Sequence, residues 1–184
     1  MYRRKNAQFP RLPRTIRDVV IPESCSRTID GRNFLLHIDN RTGILILGTR
    51  RNLRKLQRCR MLYQDGTFKC TPRPYTQFFT IHGRYKGKVL PLVFSLLPNK
   101  EGATYTRFYQ VLKRKCLREN GRELAPNIII SDNESGLLAV VPNMFPNSRL
   151  DICFFSLLSS RVETHPKSRF STHLHGQRKI PAVR

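Results

Sequence analysis

Two short acidic segments hold the side chains best suited to chemistry: Asp65-Gly66-Thr67-Phe68-Lys69, and Ser131-Asp132-Asn133-Glu134 directly after the apolar run Asn127-Ile128-Ile129-Ile130. Each places an aspartate at or just after the end of an expected β-strand. Carboxylates on adjacent strand ends can share a hard divalent cation, Mg²⁺ or Mn²⁺, which takes oxygen ligands. Two such ions about 3.5–4 Å apart can activate an attacking oxygen and stabilise a leaving oxygen in phosphodiester chemistry. Both aspartates also have plain structural alternatives. Asp65-Gly66 is a common turn dipeptide, and Asp132 could cap a following helix.

The elements that must position these groups follow from pattern. Residues 1–28 are basic, carry Pro10, Pro13 and Pro22, and show no sustained period, which predicts an extended arm. The apolar runs 33–38 and 44–47, separated by Asp39-Asn40-Arg41-Thr42-Gly43, predict a hairpin. Residues 50–60 place Leu53 and Leu56 on one side among arginines and a lysine, the mark of a basic amphipathic helix. Residues 61–64 lead into Asp65 as a strand. Aromatic and β-branched residues make 75–81 a second strand, 89–97 a third, and 83–87 the turn between them.

Tyr105, Phe108, Tyr109, Leu112 and Leu117 recur at helical spacing through 104–120, and Asn120-Gly121 ends that helix. Residues 127–131 read as a buried strand, 134–141 as a short helix broken by Pro142, and 149–155 as the last strand. Three strands, helix, strand, helix and strand make an α/β fold: a mixed sheet flanked by helices, with a ribonuclease-H-like layout. The expected division is a basic N-terminal arm with hairpin and helix at 1–60, the core at 61–155, and a basic tail at 156–184.

Charge points to the partner. Of 34 Lys+Arg against 12 Asp+Glu, residues 1–60 carry 15 basic and 4 acidic side chains, 61–155 carry 13 and 7, and 156–184 carry 6 and 1. Such an excess favours a polyanion, because each neutralised phosphate releases condensed counterions. No run of 18 apolar residues exists and the first residues lack an apolar signal stretch, so no membrane association and a soluble intracellular protein are expected. The five cysteines (Cys25, Cys59, Cys70, Cys116, Cys153) are widely spaced without a CxxC pair. Neither a disulfide framework nor a zinc site is expected from them.

Several motifs in order carry a resemblance. Asp65-Gly66-Thr67-Phe68-Lys69, Gln77-Phe78-Phe79-Thr80-Ile81-His82-Gly83, Pro91-Leu92-Val93-Phe94-Ser95-Leu96-Leu97-Pro98-Asn99-Lys100, Ala103-Thr104-Tyr105-Thr106-Arg107-Phe108 and Ser131-Asp132-Asn133-Glu134 resemble the MULE (Mutator-like element) transposase domain. Upstream, Ile21-Pro22-Glu23-Ser24 and Phe34-Leu35-Leu36 resemble the segment that precedes it in animal members, so the likeness covers roughly 1–155. The resemblance implies a ribonuclease-H-like fold and a DDE triad that cuts and joins DNA with Mg²⁺ or Mn²⁺, in the nucleus. It carries the first two aspartates onto Asp65 and Asp132, as catalytic residues and metal ligands. Glu134 sits too close to Asp132 to be the third member, whose place in the family is well downstream. No position here corresponds to it.

A truncated, weakly metal-binding and inactive member is therefore expected. The alternatives are a non-catalytic DNA-binding remnant, contacting phosphates through the arm and the 50–60 helix, or a decaying element without function. Apolar surface meant for the helix that bears the third carboxylate would then lie exposed.

A second departure accompanies the first. The family shows Cys-x-x-His after the last strand, whereas this chain has Cys153-Phe154-Phe155-Ser156. Read one base later, the codons from Ser156 onward permit His-Phe-Cys-Gln-Ala-Val-Trp-Arg, the residues the family would supply. Residues 156–184 are thus expected to be out-of-frame translation, and Cys153 a plain strand cysteine. Sequencing the transcript across the codons for Cys153 to Arg184 should reveal the family residues in a shifted frame. Their absence from both shifted frames would refute the frameshift.

Overall fold

The computed structural model describes residues 13–153. Seven strands form one mixed sheet: β1 (Leu35–Asp39), β2 (Ile44–Leu47), β3 (Met61–Thr67), β4 (Gln77–Tyr85), β5 (Lys88–Leu97), β6 (Ile128–Ser131) and β7 (Arg149–Ile152). Their spatial order is β1-β2-β5-β4-β3-β6-β7. Adjacent pairs from β1 to β3 run antiparallel, while β3–β6 and β6–β7 are parallel. The segment β5-β4-β3-β6-β7 is the ribonuclease-H-like sheet expected from the sequence, and the N-terminal hairpin extends it past β5.

Three helices, α2 (Arg50–Leu56), α3 (Gly102–Asn120) and α4 (Ser135–Met144), pack on one another and on one face of the sheet. Leu53 and Leu56 of α2 are fully buried there, as the amphipathic pattern predicts, and Thr49 caps the helix by accepting the Asn52 N–H at 3.1 Å. Phe79, Ile81, Val93 and Ile129 meet Tyr105, Phe108, Tyr109 and Leu112 in the main core. Phe79 lies edge-on to Phe108, with ring centroids 5.3 Å apart. Leu117 departs from the expected stripe and is half exposed. Gly121 ends α3 with φ of +64°, donating its N–H to Leu117 O, a left-handed geometry that favours glycine.

The extended arm needs correction over its described part. Ile16–Asp18 forms a 3₁₀ turn and α1 (Glu23–Ser26) a single helical turn. Val19 is buried with Leu45 and Tyr75, making a second apolar cluster apart from the main core. Asn40 Nδ2 pins this segment by donating to the carbonyls of Arg17 and Val19 at 3.1 and 3.0 Å.

Several boundaries also differ: α2 ends at Leu56 rather than at 60, and β4 spans Gln77–Tyr85 rather than 75–81. β3 runs on to Thr67 because β4 supplies a partner through Gly66–Phe79 and Thr67–Phe78. The turn after β4 is Lys86-Gly87 alone, both at positive φ, which suits a two-residue hairpin; Gly83 stays within the strand. Pro142 lies inside α4 rather than ending it. It has no N–H to donate to the Leu138 carbonyl, so one internal bond is lost, while Leu137, Val140 and Val141 anchor the helix in the core. All described cysteines are free, with Cys59 and Cys116 buried. No helix among the described residues is long and apolar enough to cross a membrane.

Phe79→Ala should cost about 3–5 kcal/mol, whereas Leu117→Ala should stay within about 0.5 kcal/mol. Urea unfolding of both variants checks which positions build the core.

Candidate functional site

Backbone pairing brings the two aspartates together. Met61 stands opposite Ile128, Leu62 opposite Ile129 and Tyr63 opposite Ile130 in the parallel ladder. Carried two residues further, that register sets Asp65 level with Asp132. Neighbouring strands lie about 4.8 Å apart, so the carboxyls meet at the carboxyl ends of two adjacent strands. Asp132 Oδ2 also accepts the Gly66 N–H, at 3.4 Å.

The structural alternatives for both residues fall away. Asp65-Gly66 continues a strand and makes no turn. Asp132 does not occupy the cap position: α4 begins after its N-cap Glu134, and the Glu134 N–H goes to the backbone carbonyl of Asp132 at 2.8 Å.

Half-buried Asp132 holds its proton up to about pH 6. Burial is the largest cause, opposed by the Gly66 N–H. The Asp65 carboxyl adds to the rise, both as a hydrogen-bond partner and as a like charge, and Glu134 contributes further repulsion. Two carboxyls so placed resist ionising together, and a hard cation shared between them would relieve that conflict. Their oxygen chemistry fits Mg²⁺ or Mn²⁺. Among the described residues no group of three or more His, Cys, Asp or Glu is arranged to hold a metal ion. The pair fits a cation as two ligands of a larger set.

Glu134 is engaged elsewhere. The Tyr105 hydroxyl donates to its Oε1, and Lys100 Nζ stands 4.0 Å from its Oε2. Lys100 also lies 3.5 Å from the centroid of the Phe68 ring. Burial, then the Glu134 hydrogen bond, push the Tyr105 hydroxyl far above its ordinary range, so it remains a proton donor. The Gln77 amide, fully buried, completes the chain 2.7 Å from the same hydroxyl.

Two glycines permit this packing. A Cβ on Gly66 would come within 2.1 Å of Gln77 Nε2, and one on Gly136 within 2.3 Å of the Lys100 carbonyl.

The sequence singles out Asp65 and Asp132, and it places Tyr105 in the core and Gln77 in a strand, as the structure does, without showing that the two join Glu134 in one hydrogen-bond chain. The available signal was a hydroxyl and an amide at otherwise apolar, buried positions. Cys153 stands one residue beyond β7, its N–H donated to Ser131 O at 2.7 Å. Residues 154–184, with Ser156 and the tail read as out of frame, fall outside the described residues.

A sheet of this order with paired aspartates on adjacent strands defines a ribonuclease-H-like core. The family model of the MULE transposase domain matches residues 61–160, more than half of the chain, and the chain belongs to that family. The likeness read over residues 1–60 lies ahead of the matched span. No curated protein matches the chain.

The raised pKa of Asp132 makes stability depend on pH. An aspartate titrating near 6 when folded, against about 3.9 unfolded, favours folding below the lower value; that contribution is lost as pH rises through about 6. Asp132→Asn should therefore melt above the wild type at pH 7.5, with the gap closing by pH 4. Thermal melts across that range check it, and a pH-independent gap would count against the close carboxyl pair.

Proposed function

We propose that Asp65 and Asp132 are the first two metal ligands of a site for DNA strand cleavage and transfer. The chain is a transposase-derived protein by family. The observation carrying the site assignment is the β3–β6 register, supported by the rise in the Asp132 pKa, to which burial contributes most and the neighbouring Asp65 carboxyl adds. A bound Mg²⁺ or Mn²⁺ would supply Lewis-acid activation of a phosphodiester and of the attacking oxygen. Asp65 and Asp132 would hold it from adjacent strands. Tyr105, Gln77 and Lys100 would fix Glu134 beside them and keep α4 in place. Family membership also favours the nucleus as the place of action.

Two carboxylates with Glu134 tied to Tyr105 and Lys100 make a weak cation site, so little or no strand cutting is expected from this chain alone. A DNA-binding protein without catalysis is the second reading, favoured by that missing third free carboxylate among the described residues and by the basic excess.

Mn²⁺ at ten times its Kd should stabilise the protein by about 1.4 kcal/mol, a rise of roughly 3–6 °C in Tm. Asp65→Ala and Asp132→Ala should each abolish that rise. An undiminished rise in both variants would remove the site assignment. Mn²⁺-dependent DNA cutting that vanishes in both would keep the assignment and show the chain to be active.

A further inference from the structure

At the end of the sheet opposite the aspartates, three open hollows follow one another. The first, about 550 Å³, lies between α2 and the end of α3 and is lined by Arg50, Arg54, Arg58, Arg118 and Arg122. The second, about 460 Å³, shares Arg50 and Arg118 with it and adds Arg32, Arg51 and Lys115. The third, about 470 Å³, shares Arg58 with the first and adds Arg60 and Arg84. Among the described residues, Glu119 is the only carboxylate in any of the three linings.

Little of this charge is neutralised internally. Glu119 is taken by Arg118, with Nη2 at 3.2 Å, Arg32 Nη2 is paired with Asp30 at 2.8 Å, and Arg50 Nε donates to the Glu119 carbonyl at 2.9 Å. Among the described residues, Arg54, Arg58 and Arg122 form no ion pair. Asn120, in the wall of the first hollow, has both amide atoms buried without a partner. Gln57 binds the end of α3 through the Cys116 and Arg122 carbonyls, so α2 and the α3 terminus hold the arginines on a fixed frame.

We infer that this arginine track is the docking surface for the phosphodiester backbone of duplex DNA. The inference rests on the proposal that the chain acts on DNA. Guanidinium groups match phosphate geometry and remain charged at any relevant pH. Hollows that share walls form a ribbon rather than a pocket for one small anion, and a DNA strand offers one phosphate per 3.4 Å of rise.

The track is separate from the carboxylates. Arg60 precedes β3 and Asp65 lies five residues along it, about 17 Å away at strand spacing. From Tyr105 to Asn120 along α3 is about 22 Å. DNA would thus be gripped at one end of the sheet while the acidic pair lies at the other, where phosphate approaches only with cation help.

The test is fluorescence anisotropy of the full chain with a short labelled duplex over a salt series. Arg54→Ala/Arg58→Ala/Arg122→Ala removes three exposed, unpaired guanidinium groups. It should weaken binding at least about tenfold and flatten the log K against log salt slope by about 2–3. Arg14→Ala/Arg17→Ala/Arg41→Ala changes net charge equally away from the track and should leave the slope nearly unchanged. Wild-type binding that both triple variants weaken alike, or that the first leaves intact, would overturn the track while leaving the DNA reading in place. No duplex binding by the wild type at low salt would overturn both.

Discussion

The parallel ladder between β3 and β6 joins segments more than 60 residues apart, with β4, β5 and α3 lying between them in the chain. No local turn can set its register; the crossing must close before any of its hydrogen bonds form. Once closed, it places Leu62 and Ile129 under the helices and Asp65 level with Asp132. A slip of one residue would turn each strand's buried set outward. Core burial and carboxyl spacing are thus the same constraint, and burial enforces it.

Polar groups beneath the sheet refine what the ladder begins. Tyr109 donates to Gln64, and Tyr105 bridges Gln77 and Glu134, so α3 is tied to β3, β4 and the start of α4 by side chains that exclude water. Buried amides and hydroxyls are costly when unpaired, which makes these contacts directional where the surrounding aromatic packing is not. The acidic pair, by contrast, is held against its own repulsion by this frame. Such opposition between stability and local electrostatics is common where a structure is shaped for a ligand.

Charge is divided along the molecule. Asp65, Asp132 and Glu134 gather near the start of α4, while α2 and the far end of α3 carry dense arginine. Helix α3 spans the two regions. Its C-terminal carbonyls favour cationic neighbours, and Arg50 takes up the Glu119 carbonyl, so the helix end itself helps to collect the positive groups.

Much of the architecture was legible in the chain. The hairpin, the helical stripes of α2 and α3, the three isoleucines of β6 and the two aspartates all announce themselves through period and flanking turns. Local signals failed where a neighbour decided the outcome. Asp65-Gly66 reads as a turn but stays extended because β4 pairs with it, and Pro142 stays helical because Leu137, Val140 and Val141 are anchored. The N-terminal arm has no period, yet Val19 finds a pocket against Leu45 and Tyr75. The sequence by itself determined which residue types could bind metal and polyanion, and which segments had strand or helix periodicity. Only the tertiary structure decided that Asp65 and Asp132 stand side by side, that Tyr105 and Gln77 hold Glu134 near them, and that scattered arginines line adjoining hollows. Side-chain proximity across a sheet depends on long-range register, which no local pattern of residues encodes.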